Sequence, residues 1–255
     1  MMNFLAVIPA RFASTRLEGK PLVDICGKPM IQWVYEKASE IFDVVYVATD
    51  DTRISDCVKG FGGKFVMTAG SHENGTTRCL EAWEKISAIE NDTYQVIVNV
   101  QGDEPMVHTE TLQHLKSCFA DPKAEFATLI LPVTNPDDLE NESEVFVTID
   151  KNKHALYFSR SVIPYVRGIP KREWIQHATI YKHIGIYGFT PKALQAFCNL
   201  KPSKLETCER LEQNRWLEAG NKVKTAITFY DSIPVDTPAD LERVRHMMAK
   251  ELFGA

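Results

Sequence analysis

After its first apolar run, the 255-residue chain has neither the G-x-x-x-x-G-K-[ST] loop nor the G-x-G-x-x-G turn, which excludes the usual NTPase cradle and the dinucleotide fingerprint. Its six cysteines, at 26, 57, 79, 118, 198 and 208, never form C-x-x-C, so no zinc or thioredoxin-type site is indicated. They read as reduced thiols, with a pairing left open. No apolar run approaches the ~20 residues of a membrane span, and the short run at residues 4–8 has no basic stretch before it, as a signal peptide has. A net charge of -5 argues against the basic face of a general nucleic-acid binder, yet leaves room for a local basic loop. Repeats and low-complexity segments are also missing. The expectation is a soluble cytoplasmic protein with no nucleic-acid partner and no membrane insertion.

What the chain does have is alternation. Buried strands are predicted at residues 4–8, 44–48, 65–68 and 95–100, with helices at 29–42, 53–61 and 77–87 between them. Continuous apolar runs such as Val96-Ile97-Val98 suit parallel strands covered on both faces. The middle differs: runs at 125–133, 145–150, 155–159 and 180–189 have no long helix between them and suggest antiparallel additions, while 166–179 reads as a long surface loop. Helices follow at 191–200 and 204–219, then a strand at 222–229. Asp236-Thr237-Pro238 opens a final amphipathic helix.

Chemistry concentrates at strand ends. The segment Ile8-Pro9-Ala10-Arg11-Phe12-Ala13-Ser14-Thr15-Arg16-Leu17-Glu18-Gly19-Lys20-Pro21-Leu22 sets two arginines, a lysine and two hydroxyls just past the first strand. Forked guanidiniums and a point-charge ammonium suit a triphosphate, although a solvated basic loop reads the same way. Asn99-Val100-Gln101-Gly102-Asp103-Glu104-Pro105 ends the fourth strand, where a carboxylate beside a glycine can hold a hard cation or simply cap a turn. Asp236, in Asp-Thr-Pro before an amphipathic segment, reads as a helix start. In Ser71-His72-Glu73-Asn74-Gly75-Thr76-Thr77-Arg78 either Thr76 or Thr77 is the expected helix N-cap.

Together these strings resemble the cytidylyltransferases that activate 3-deoxy-manno-octulosonate (Kdo), in motif order from Ile8 to Arg243. The loop is similar to their R-x-x-S-x-R-x-x-x-K, and V-N-V-Q-G-D-E-P matches almost residue for residue. Further matches are A-L-Y-F-S-R at 155–160, Y-K-H-I-G-I-Y at 181–187 and Leu211-Glu212-Gln213-Asn214-Arg215. The resemblance implies a Rossmann-like α/β nucleotidyltransferase sheet, mostly parallel, with a smaller antiparallel extension. It implies one domain over 1–255: a nucleotide-binding half at 1–120, an acceptor-sugar and dimerisation region at 121–230, and a metal-site aspartate with a C-terminal helix at 231–255. Arg11, Ser14, Arg16, Lys20, Gly75, Thr76 and Arg78 would bind CTP, and Asp103 and Asp236 would hold Mg2+, with Lys20 and Arg16 joining them in catalysis. Gln101, Arg160, His183, Tyr187, Glu212 and Gln213 would bind Kdo. The implied reaction gives CMP-Kdo and pyrophosphate, for lipopolysaccharide, in a homodimer. Alternatives are a related acidic sugar (amino-substituted Kdo or a sialic-acid relative) or a non-catalytic nucleotide-sugar binder. The chain departs from the pattern at Glu18, Asn74, Thr77, Lys182, Arg210 and Asn214. Glu18 is expected to point away from the phosphates, and the acceptor pocket is where differences are expected.

Overall fold

A computed structural model describes residues 2–13, 16–231 and 233–254 of the chain. The chain folds into two compact units, one of Met1–Leu112 with Ser232–Ala255 and one of Gln113–Asp231.

In the first unit, β1 (Phe4–Ala10) leads through a single 3-10 turn at Lys20–Leu22 to the short antiparallel pair β2 (Asp24–Ile25) and β3 (Lys28–Pro29). Then come α1 (Met30–Ser39), β4 (Val44–Thr49), α2 (Thr52–Gly60), β5 (Phe65–Met67), α3 (Gly75–Glu90) and β6 (Val96–Asn99). The strands run β6-β1-β4-β5, all parallel, as the apolar runs required. Leu5, Ala6, Val7 and Ile8 are fully buried at the centre. Asn74, rather than either threonine, caps α3: its Oδ1 accepts from the Thr77 amide at 2.9 Å. Asparagine's short carboxamide reaches the open amide three residues on, and a cap must precede the first helical residue. An unforeseen helix, α4 (Thr109–Cys118), carries the chain into the second unit.

There β7 (Phe126–Pro132), β8 (Phe146–Ile149) and β9 (Ala155–Ser159) are followed by α5 (Trp174–His177), β10 (Tyr181–Phe189), α6 (Pro191–Asn199), α7 (Lys204–Glu209), α8 (Gln213–Glu218) and β11 (Lys224–Ile227). β10 is antiparallel to β7 and β8, β8 is antiparallel to β9, and β11 runs parallel to β7. The antiparallel middle is therefore as expected. Phe126 stacks on Phe189 with ring centroids 4.2 Å apart and meets Phe197 and Trp216 edge-on.

Two expectations are corrected here. The stretch 166–179 is no plain surface loop: after a 3-10 turn at Lys171–Glu173, α5 buries Trp174 against Val133, Leu139, Phe146 and Ile180. Its indole donates to the Ile169 carbonyl at 2.9 Å, and one large aromatic recruits the loop into the core. The helix expected over 204–219 is two helices, because Arg210 turns left-handed at φ 55 after a Ser203–Glu206 capping box.

The chain then returns to the first unit as α9 (Pro238–Phe253), whose Leu241, Val244 and Met248 pack with Val235 on Ile25 and Met30. Among the described residues no helix is long and apolar enough to cross a membrane, and all six cysteines are free.

Candidate active site

Asp236 is fixed from both sides. Val235 before it is buried, and its amide donates to the Asp103 carbonyl at 2.9 Å. Thr237 after it caps α9 through a reciprocal box with Asp240. Asp103 in turn follows β6, where Gly102 lies so close to β1 that a Cβ would stand 2.8 Å from the Pro9 carbonyl. Only a residue without a side chain brings the two strand ends together. Lys20 arrives from the opposite side of the loop, on a 3-10 turn entered through Gly19 at φ 64.

These three side chains meet. Lys20 Nζ donates to Asp103 Oδ2 at 2.7 Å and to Asp236 Oδ1 at 3.0 Å, and Arg16 Nη2 reaches the same Asp236 oxygen at 3.1 Å. Burial pulls the Lys20 pKa down, but the two carboxylates outweigh it, so the ammonium is held above its ordinary value. They border a cavity of about 780 Å³ that Arg11, Arg78, Gln101 and Gly75 also line. The start of α3 borders the cavity through Asn74, Gly75 and Arg78, and the positive end of a helix dipole favours an anion.

All the expected nucleotide residues but Ser14 can be located. Arg11 is exposed and borders the cavity, and Gly75 and Thr76 open α3, with Thr76 fully buried. Arg78 is 4% exposed and bonds Thr68 Oγ1 at 2.6 Å and Asp50 Oδ1 at 3.2 Å, so it also braces the strand ends. Ser14 lies outside the described residues. Glu18 corrects an expectation: it borders the cavity rather than turning from it. Arg53, whose guanidinium lies over the Phe12 ring at 3.3 Å, is paired with Asp51 at 2.6 Å and feels the Glu18 charge only secondarily.

His72, inside the Ser71–Arg78 string, was not among the expected site residues. It borders the cavity, with Nδ1 3.2 Å from Thr77 Oγ1 and Nε2 against Glu81.

The expected acceptor residues, apart from Gln101, fall in the second unit. His183 and Tyr187 sit on either side of a bulge in β10, their rings stacked at 5.6 Å. Thr128 Oγ1 lies 2.9 Å from His183 Nε2, and burial pushes this imidazole down to about 3, so it is neutral at physiological pH. The Tyr187 hydroxyl donates to Gln213 Oε1 at 3.2 Å, and burial with the charge of Glu212 holds its pKa well above the ordinary tyrosine value. Gln213 Nε2 is buried without a hydrogen-bond partner among the described residues. Arg160 is exposed at the end of β9, its Nε donating to the Glu209 carbonyl at 2.9 Å.

The departures from the family pattern on this side prove structural. Asn214, fully buried, bonds both backbone groups of Phe158, at 3.3 and 2.9 Å. Lys182, buried, donates to Asp231 at 2.6 Å and to Asp138 and Glu144 at 3.5 Å. Arg210 makes the left-handed corner between α7 and α8.

Similarity to known proteins agrees with this arrangement. The cytidylyltransferase family profile matches residues 5–224. The chain is 49% identical to the 3-deoxy-manno-octulosonate cytidylyltransferase of Parabacteroides distasonis, over 98% of this chain and 99% of that one. It is 46% identical to the protein of the same name from Aliivibrio fischeri, over 98% and 100%. Among solved structures, a CMP:2-keto-3-deoxy-manno-octonic acid synthetase complexed with CTP superposes with a TM-score of 0.88 at 42% identity, over 98% of this chain and 100% of that one. A putative glucose-1-phosphate thymidylyltransferase from Bacillus anthracis, 17% identical with a TM-score of 0.67 over 99% of this chain and 98% of that one, shares the fold alone. With two carboxylates bridged by a lysine, a basic loop past the first strand and matches this extensive, the chain belongs to the cytidylyltransferase family, among the 3-deoxy-manno-octulosonate cytidylyltransferases.

Proposed function

We propose that the chain transfers CMP from CTP to Kdo, releasing pyrophosphate, as the names of its relatives indicate, and that the CMP-Kdo it makes serves lipopolysaccharide. The observation that carries this reading is the convergence of Lys20, Asp103 and Asp236 on a cavity also lined by Arg11, Arg16 and Arg78.

Arg11, Arg16 and Lys20 face the phosphates in this reading, joined by the amides at the start of α3, while Arg78 holds the cavity wall. Attack on the α-phosphorus by the sugar's anomeric hydroxyl builds charge on the phosphate oxygens and expels pyrophosphate in line. Fixed cations lower that barrier because they are already oriented when the charge develops. No covalent enzyme intermediate is needed.

The donor set also suits Mg2+. Two carboxylates converge within reach of one ammonium, which marks a point of strong negative potential, and Mg2+ is commonly held by one or two carboxylates with substrate phosphates completing its shell. Asp103 and Asp236 would hold the ion. When bound it neutralises phosphate charge and aligns attacking and leaving oxygens.

On the acceptor side, Arg160 suits the Kdo carboxylate, and Gln101, His183, Tyr187, Glu212 and Gln213 suit its hydroxyls. The unmatched Gln213 amide is the strongest support, since a buried donor without a partner costs about 1–3 kcal/mol until a ligand oxygen meets it. A homodimer through the second unit is part of the proposal: β9 pairs only with β8 among the described strands and exposes Leu156. A step that consumes CTP fits the cytoplasm.

Pyrophosphate release with a panel of nucleotides and acidic sugars tests the reading. CTP with Kdo should be the fastest pair, and equal rates with neutral hexose 1-phosphates would refute it. Light scattering during size exclusion tests the dimer, which a monomer mass would exclude.

A further inference from the structure

The end of β9 is held by a carboxylate that none of the family motifs accounts for. Glu209, the last residue of α7, accepts through Oε1 from Tyr157 Oη at 3.1 Å and Ser159 Oγ at 2.8 Å. Through Oε2 it accepts from the Arg160 backbone amide at 2.9 Å, and its own carbonyl takes the Arg160 Nε at 2.9 Å. One residue thus fixes both the backbone and the guanidinium of Arg160.

The division of bonds matters. The carboxylate of Glu209 is engaged by two hydroxyls and an amide, and only its backbone carbonyl touches the guanidinium. Nη1 and Nη2 of Arg160 have no protein partner among the described residues. Those two amino groups form the fork that grips a carboxylate end-on. Burial alone would raise the Glu209 pKa, but the Arg160 amide, Ser159 and Tyr157 hold it below the ordinary glutamate value, so the clamp is ionised at neutral pH.

Position within the unit adds weight. Glu209 precedes the left-handed Arg210 corner, and Glu212 and Gln213 follow it. The same corner therefore holds Arg160 on one side and presents the Tyr187 partner on the other.

We propose that Glu209 is a positioning residue for the acceptor: it locks Arg160 at the end of β9 with the guanidinium fork open to the substrate carboxylate. This rests on the assignment of Arg160 to the Kdo carboxylate. It extends that assignment to a residue which touches no substrate itself.

The experiment is a double-mutant cycle on the full-length enzyme, following pyrophosphate release with Kdo and CTP varied separately. Arg160→Ala comes first, since an unchanged Kdo KM there would overturn the assignment of Arg160 and the proposal with it. Given a raised Kdo KM, Glu209→Gln should raise it by about tenfold, the scale of one charge-assisted hydrogen bond, with the CTP KM and the kcat unchanged. In the Arg160→Ala background the same substitution should add nothing. Glu209→Asp, which keeps the charge, should recover part of the loss. A fully additive effect of Glu209→Gln, an equal rise in both KM values, or no change in the Kdo KM would each overturn the proposal. Should Glu209→Gln lower the melting temperature enough to lose protein, Ser159→Ala and Tyr157→Phe, which each remove one bond to Oε1, give smaller shifts of the same kind. Kdo KM unchanged in both would also overturn it.

Discussion

In the first unit, Arg16, Lys20, Asp103 and Asp236 meet at an open cavity with side chains 62%, 16%, 28% and 34% exposed. In the second unit, His183, Tyr187, Gln213 and Asn214 are enclosed in strands and a helix and hold one another or the backbone. The difference teaches where function and stability separate. Around the cavity the fold is carried by neighbours such as Val235 and Gly102, so the charged groups are free for chemistry. On the acceptor side one side chain serves both purposes, as when Tyr187 packs edge-on against Phe126 while its hydroxyl meets Gln213.

Breaking the cavity should therefore cost activity alone. Asp103→Asn and Asp236→Asn should each lower turnover by roughly a thousandfold or more, on the several kcal/mol that metal-assisted charge stabilisation supplies. Neither carboxylate is deeply buried, so thermal melts should barely move. Near wild-type rates at saturating Mg2+ would end the two-carboxylate reading. Lys20→Ala removes an ammonium that touches both carboxylates and should cost about 1.5–3 kcal/mol in CTP KM or turnover, with the Kdo KM unchanged.

The strand-end strings were legible because local chemistry and local structure coincide there: a glycine, a carboxylate and the end of an apolar run are adjacent in the chain. Lys20, Asp103 and Asp236 could be named individually, but their meeting could not, since it depends on Val235 being drawn into a core with Ile25 and Met30. The β-α alternation was legible for the same reason. The 204–219 segment was not, because nothing local to Arg210 marks a left-handed turn in place of glycine. Asn214 and Lys182 were legible only as departures from the family pattern, because the partners that fix them, the Phe158 backbone and three carboxylates, lie far away in the chain.

Lys182 sharpens the comparison by reversing it, since loss here should be a loss of stability. Removing a buried ammonium leaves Asp231, Asp138 and Glu144 facing one another, and Lys182→Met should cost roughly 2–3 kcal/mol. This is below the penalty for a fully buried pair because the carboxylates are partly in water. Burial pulls the Lys182 pKa down, but Asp231 and Glu144 raise it on balance above 10.5. A raised lysine stabilises below its unfolded value and ceases to do so as pH rises through the folded one. The gap between variant and wild type in urea melts should therefore narrow above pH 10.5. It should also narrow in acid as the carboxylates protonate. A gap independent of pH would show that packing, not charge, was lost.

Asn214→Leu should be milder. It strips both backbone groups of Phe158 of their partner, at about 1–3 kcal/mol of stability. The CTP KM should stay unchanged, and a change confined to Kdo specificity with full stability would return Asn214 to the acceptor site.

The smallest effect expected lies just behind the cavity wall, at Glu81, the carboxylate against His72. Burial alone would raise the Glu81 pKa, but Lys85, the Ala69 amide and His72 together hold it down to about 2. A carboxyl depressed in the folded state stabilises above its unfolded value of 4.5, and that contribution disappears as pH falls toward 2. Glu81→Gln should therefore destabilise the protein at pH 7 and lose its effect in acid, where wild type carries a proton at the same position. Because Glu81 also holds one nitrogen of His72 at the cavity wall, a modest rise in CTP KM should accompany the loss, without the collapse of turnover expected for Asp103 or Asp236. Urea melts of the two proteins from pH 7 to pH 3 should converge. Curves that stay parallel would mean that the bonds from Lys85, Ala69 and His72 do not favour the charged carboxylate, and His72 would then owe its place to Thr77 alone.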